Sequence, residues 1–138
     1  MIVCIDTNVL LPMLGLRHPL GRLLDAWMVG RYDWAVSNEV ITEYEEIVSP
    51  RIGVQRWQDF LMLLELGEDV NGNLHRIQPS YRFSTIMGDV DDNKFADCAI
   101  AANADWIVTE DKHFNALKGR GFRPQPISPS EFMRMLGL

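Results

Sequence analysis

Four patches of carboxylate punctuate this chain where apolar runs stop or a polar face turns outward. Asp6 follows Met1-Ile2-Val3-Cys4-Ile5, and Glu43 closes Ser37-Asn38-Glu39-Val40-Ile41-Thr42. Asp92 and Asp97 bracket Asn93-Lys94-Phe95-Ala96, and Asp111 follows Val108-Thr109-Glu110. Gathered by a fold, these side chains would make a cage of oxygen ligands. Two unit charges about 4 Å apart repel by roughly 4 kcal/mol at an effective dielectric of about 20. Several such pairs are tolerable only around a bound divalent cation. Oxygen-only ligands suit Mg²⁺ or Mn²⁺ over zinc, which prefers nitrogen and sulfur.

Each acid also has a plainer reading. Asp6 precedes Thr7-Asn8 and could initiate a turn or cap a helix. Glu43 shares a helical side with Glu39 and Glu46, opposite a stripe of Val40, Tyr44, Ile47 and Val48, and such acidic sides are usually solvated. Asp92 stands at the amino end of a helix, where the dipole and capping favour an acid. Asp97 is different: Phe95-Ala96 precede it and Cys98-Ala99-Ile100-Ala101-Ala102 follow. An acid among such residues is costly to bury without a partner, so Asp97 points to function. Asp111 lies just past an apolar run, as Asp6 does. His18, His75 and His113 share no ligand or catalytic spacing, and there is neither a nucleophile elbow nor a glycine-rich phosphate loop. Cys4 and Cys98, in apolar surroundings, read as buried free thiols.

The elements that would position these acids follow from periodicity. Residues 1–5 form an apolar run too short for a helix, hence a buried strand. A helix is predicted over 18–29, ended by Gly30, then a strand over Tyr32–Val36. Ser37 or Asn38 caps a helix running to about Val48, with Pro50 just beyond it. A helix over 54–66 carries Trp57, Phe60, Leu61 and Leu64, and 67–91 is irregular except for a short strand at Leu74–Ile77. A helix over 92–103, a strand at Trp106–Thr109 and a short helix at Lys112–Leu117 follow. Ser128, Pro129 and Glu131 spell a capping box for a last helix. Strands alternating with helices predict a parallel sheet covered on both faces, with ligands beyond the carboxyl ends of the strands. Asp6 and Asp111 both occupy such positions. A chain of 138 residues with 47% hydrophobic content fits one domain over 1–138. It lacks an apolar run of about 18 residues, so a cytoplasmic location is expected and no membrane partner. The net charge of −6 argues against broad nucleic-acid coating, although a metal site would itself hold much of that charge.

Taken in order, Ile5-Asp6-Thr7-Asn8, Ser37…Glu43, Asp92-Asn93…Asp97-Cys98-Ala99 and Val108-Thr109-Glu110-Asp111-Lys112-His113-Phe114 resemble the PIN-domain family along essentially the whole chain. The likeness is strongest to its small VapC-like members, toxins of toxin–antitoxin pairs. The resemblance implies an α/β fold, a three-layer α/β/α sandwich with a mostly parallel central sheet. It implies a Mg²⁺- or Mn²⁺-dependent ribonuclease with Asp6, Glu43, Asp97 and Asp111 as catalytic acids and metal ligands. Asp92 matches an additional acid of the metal site, and Thr7, Asn8 and Thr109 match supporting positions. Ser37 and the downstream Val48-x-Pro50 favour Glu43 over Glu39 and Glu46. RNA is then the substrate, an antitoxin protein the partner, and a homodimer the assembly. Lys94, Lys112, Arg17, Lys118, Arg120 and Arg123 are candidate phosphate contacts by their nearness in sequence to the acids. Two other readings stand beside this one. One is a non-catalytic module of the same fold binding RNA or protein. The other is a haloacid-dehalogenase-type phosphatase using Asp6, although its second acid would fall at Asn8.

Overall fold

β1 (Ile2–Ile5) is buried along three of its four residues and becomes the middle of a five-stranded sheet. The computed structural model describes residues 1–79 and 90–138, without the side chains of 90–92. The other strands are β2 (Asp33–Ser37), β3 (Leu74–Ile77), β4 (Trp106–Val108) and β5 (Gln125–Ile127). Their order is β3-β2-β1-β4-β5, and every pairing is parallel. Val3 pairs with Trp34 on one side and Trp106 on the other, and Ile5 pairs with Val108. The carboxyl ends of β1, β2 and β4 therefore open onto one edge, where the following residues are Asp6, Asn38 and Thr109.

Parallel neighbours require crossovers, and helices supply them. They are α1 (Thr7–Met13), α2 (Gly21–Met28), α3 (Asn38–Ile52), α4 (Val54–Asn71), α5 (Val90–Ala101) and α6 (Pro129–Met135), with a 3₁₀ helix at Lys112–Leu117. α5 packs on β1, β2 and β4, α3 packs on β2, and α4 reaches β3, giving the α/β/α layering. Bulky aromatics fill the space between layers. Trp27 and Trp34 meet edge to face at 5.5 Å, and Tyr32 meets Phe132 at 5.1 Å. At the amino edge of the sheet, Asp105 accepts from the Ile2 N–H and from Arg123, each at 2.9 Å, tying β1 to β4.

Several boundaries differ from expectation. α1 was not foreseen, because its seven residues hold Pro12 and are too few to show a helical period. α2 begins at Gly21 rather than residue 18, and α5 begins at Val90. α3 passes through Pro50 to Ile52, since an exposed proline in the last turn forfeits only one bond. The helix stops at Gly53, whose φ of 93° suits glycine. Ile47, expected on the buried stripe of α3, is 43% exposed. α4 continues past 66 to Asn71, and Gly72 ends it in the left-handed region. β5 was missed because Pro126 interrupts its signal; an edge position tolerates the lost donor. Within the expected irregular stretch, residues 80–89 lie outside the described residues. The capping box of α6 is present as predicted.

Candidate active site at the carboxyl edge of the sheet

Asp6 is the first residue past β1 and is 4% exposed. Its main chain is pinned on both sides: its N–H donates to Val108 O at 3.0 Å, and its carbonyl accepts from Val9 and Leu10 to start α1. The position is that of a helix cap, yet the carboxylate forms no capping hydrogen bond. Its Oδ2 instead accepts from Thr109 Oγ1 at 2.8 Å. Burial holds the Asp6 carboxyl above the usual range, and the Thr109 bond opposes that shift. The charge of Asp111 raises it further, while the nearby N–H groups of Asn8 and Thr7 lower it. Asp6 and Asp111 thus share one electrostatic neighbourhood.

Thr109 joins them by hydrogen bonds. The same Oγ1 that serves Asp6 accepts from the Asp111 N–H at 2.9 Å. The Asp111 side chain caps the 3₁₀ helix, with Oδ1 accepting from the His113 N–H at 2.9 Å and His113 Nδ1 at 3.4 Å from the same oxygen. Asp111 thus caps the 3₁₀ helix and its charge still raises the Asp6 carboxyl.

Glu43 comes in from α3. Ser37 caps that helix by accepting from Val40 N–H, and Tyr44 docks it by donating its hydroxyl to Ile5 O at the end of β1. One residue before Tyr44, Glu43 is buried at 9% exposure, whereas Glu46 is exposed and Glu39 half-buried. Glu43 Oε2 accepts from Thr7 Oγ1 at 2.6 Å, and Lys94 Nζ stands 3.8 Å from its Oε1. The solvated-face reading of Glu43 does not hold.

Asp97 lies in α5 and is 4% exposed. Next to it, the Cys98 thiol contacts that of Cys4, an interaction that, with burial, keeps Cys4 well above the usual thiol range. Both cysteines are free and buried. A crossover helix in a parallel sheet runs back against the strands, so the residue preceding Cys98 lies toward the carboxyl edge. Asp97 is thus a buried acid on the helix that packs against β1, the strand that ends at Asp6.

The remaining candidates divide. Thr7 and Thr109 are the hydroxyls that hold Glu43 and Asp6. Asn8 is exposed, and Asp92 lies in the first turn of α5 with its side chain outside the described residues. Lys94 is half-buried beside Glu43. Arg17 is exposed in the α1–α2 connection with a φ of 61° and, among the described residues, forms no ion pair with the other candidates. Arg123 belongs to the opposite edge, on Asp105. Sequence reasoning missed the Lys94–Glu43 and Thr7–Glu43 contacts and the role of Tyr44 in aiming α3. These contacts join distant parts of the chain, and no spacing encodes them.

Among the described residues, no three His, Cys, Asp or Glu side chains form a closed metal cluster. The chemistry of the donors nevertheless fits a hard cation. Mg²⁺ is commonly held by one or two carboxylates and keeps several waters. A buried carboxylate raised by burial and by a second acid is a site whose charge lacks full compensation.

Residues 2–113 match the PIN domain in a comparison with protein families. None of the curated proteins matches. Among solved structures, the chain is similar to one described as VapBC2 from Rickettsia felis bound to a DNA fragment from their promoter. That likeness has a TM-score of 0.57 at 20% identity, covering 93% of this chain and 98% of that one.

Proposed function

The chain belongs to the PIN-domain family, whose members are generally nucleases, and on that premise we propose that it is a Mg²⁺- or Mn²⁺-dependent ribonuclease acting as the toxin of a toxin–antitoxin pair. The observation that carries this reading is Asp6: a buried carboxylate at the end of the central strand, oriented by Thr109 and repelled by Asp111. Asp6, Asp97, Asp111 and Glu43 would hold the cation, with Asp92 a further ligand. When bound, such a cation lowers the pKa of a water and neutralises charge developing on the phosphate. The protein's own residues prepare that site. Thr109 fixes one oxygen of Asp6 and Thr7 one oxygen of Glu43, so the opposite oxygens have set directions. Lys94 offsets part of the Glu43 charge. Burial of Asp6, Asp97 and Glu43 keeps bulk water from screening them.

The same reading assigns the protein an RNA substrate, an antitoxin partner and homodimeric assembly in the cytoplasm. The fold it shares with the VapBC2 structure supports the antitoxin assignment. Family membership removes the phosphatase reading of Asp6. The test is cleavage of single-stranded RNA by protein purified from a ribonuclease-deficient host, with Mn²⁺ and with EDTA. We expect EDTA to abolish activity and Asp97→Asn to lower it by at least about a hundredfold, the scale on which a positioned catalytic group acts. Cleavage indifferent to both would sink the proposal, and inactivity of the wild type would favour the non-catalytic module.

A further inference from the structure

A cleft of about 330 Å³ opens beside Asp111, between the 3₁₀ helix and the amino end of α6. Its wall begins with Thr109, Glu110, Asp111 and Lys112 and includes Asn115 and Lys118. Because Thr109 donates to Asp6 and also lines this cleft, the cleft and the acid site share a wall. Its volume lies at the lower end of the roughly 300–1,000 Å³ typical of small-molecule sites.

The charges in the cleft are unequally committed. Glu131 is engaged in the capping box, accepting from the Ser128 N–H, and Asp111 accepts from the His113 N–H. Lys112 and Lys118 are exposed and form no ion pair among the described residues. The amide of Asn115 is likewise without a hydrogen bond among them. The rim that carries Lys118 is fixed rather than loose. Gln125 accepts from the Gly119 N–H at 2.9 Å and donates to Leu117 O and Phe122 O at 2.8 and 2.7 Å, pinning both ends of that turn to β5. The cleft therefore combines two uncommitted cations on a held frame, the exposed carboxylate of Glu110 at its Thr109 end, an amide, and the apolar edges of Pro126 and Ile127. A nucleotide needs the same set: cations for phosphate, an amide for a base edge and an apolar surface for its face.

We infer that this cleft seats the nucleotide of a single-stranded RNA adjoining the bond to be cut, with Lys112 and Lys118 on its phosphates. The inference rests on the ribonuclease reading and extends it, since it gives the strand a direction away from the acids, over Asp111 toward α6. Lys112 and Lys118 are both candidate phosphate contacts by sequence; Asn115 joins them through the shared cleft.

Binding without turnover separates this inference from the reading beneath it. The full-length protein is titrated in EDTA against a short fluorescein-labelled single-stranded RNA, followed by anisotropy at several salt concentrations. Each lost phosphate contact on a single strand lowers the slope of log K against log salt by about 0.7. The Lys112→Ala/Lys118→Ala double variant should then bind roughly tenfold more weakly at about 50 mM salt, with a slope shallower by about 1.4. Lys112→Arg/Lys118→Arg should restore both, and Arg134→Ala, an exposed cation near the end of α6, should change neither. Both lysines are exposed, and an unchanged melting temperature shows that folding is intact. A double variant that binds with wild-type affinity and slope overturns the cleft assignment, while the Asp97→Asn and EDTA arms still judge the nuclease. A wild type that neither binds nor cleaves RNA overturns both.

Discussion

Asp6 shows how one side chain can be poorly placed for stability and well placed for chemistry. Burial raises its pKa above the 3.8 it would have in the unfolded chain, and Asp111 adds to that rise. Between 3.8 and the raised folded value, the folded protein keeps a proton that the unfolded chain has lost, so stability falls as pH rises through that window. Above it, the full cost of an ionised Asp6 is present. Asp6→Asn keeps an oxygen for Thr109 and removes the charge. We therefore predict that the metal-free variant melts above the wild type at neutral pH, and that the gap closes as pH falls toward 3.8. Calorimetric scans across pH in EDTA measure this. A variant less stable than the wild type at pH 7 would show that Asp6 is held by something other than the Thr109 bond.

At the scale of elements, the contact between α2 and α4 tests how tightly the helical layer is built. Gly67 lies in α4 against Trp27 of α2, and a Cβ there would come within 2.3 Å of the indole. Trp27 is fully buried and donates to Asn73 O at 3.1 Å, so pushing the ring aside would disturb that bond. Alanine is the better helix former by about 1 kcal/mol, but overpacking costs typically 1–3 kcal/mol. Gly67→Ala should thus destabilise the protein by roughly 1 kcal/mol or more in urea unfolding, against its helix propensity. The sequence could not reveal this, because a glycine inside a helical pattern gives no sign of the ring that packs on it. Most elements, by contrast, were legible: β1, β2 and β4 from apolar runs, β3 as a short strand within an irregular stretch, α6 from its capping box, and the 3₁₀ helix at its observed limits. Those signals are local. α1 and β5 were hidden because Pro12 and Pro126 interrupt short segments that tertiary contacts nonetheless hold. Among the site acids, Asp97 announced itself through its apolar neighbours. Glu43 did not, since its burial depends on Tyr44 docking onto Ile5, a contact that lies outside the helix's own pattern.

For the molecule as a whole, the net charge of −6 and the carboxyl edge of the sheet make one prediction. If carboxylates at that edge take up a divalent cation, binding should stabilise the fold by about 2.7 kcal/mol at a hundred times the dissociation constant. That corresponds to a melting point higher by several degrees, at about 2–4 °C per kcal/mol for a chain near this size. The rise should be seen with Mn²⁺, be reversed by EDTA, and shrink in Asp97→Asn; a flat response to Mn²⁺ in the wild type would contradict the cation reading. The order of the strands has a further consequence, during synthesis of the chain. β1 is made early, but one of its neighbours is β4, and the hydroxyl that orients Asp6 arrives 103 residues later with Thr109. A nascent chain that has exposed β1, β2 and β3 can pair three strands and still has neither Thr109 nor Asp111 at Asp6. The acid site is therefore completed only when the crossover through α5 has closed, so a ribosome-bound or prematurely terminated fragment lacks it. A protein able to cut RNA would in this way be inactive for most of its own translation.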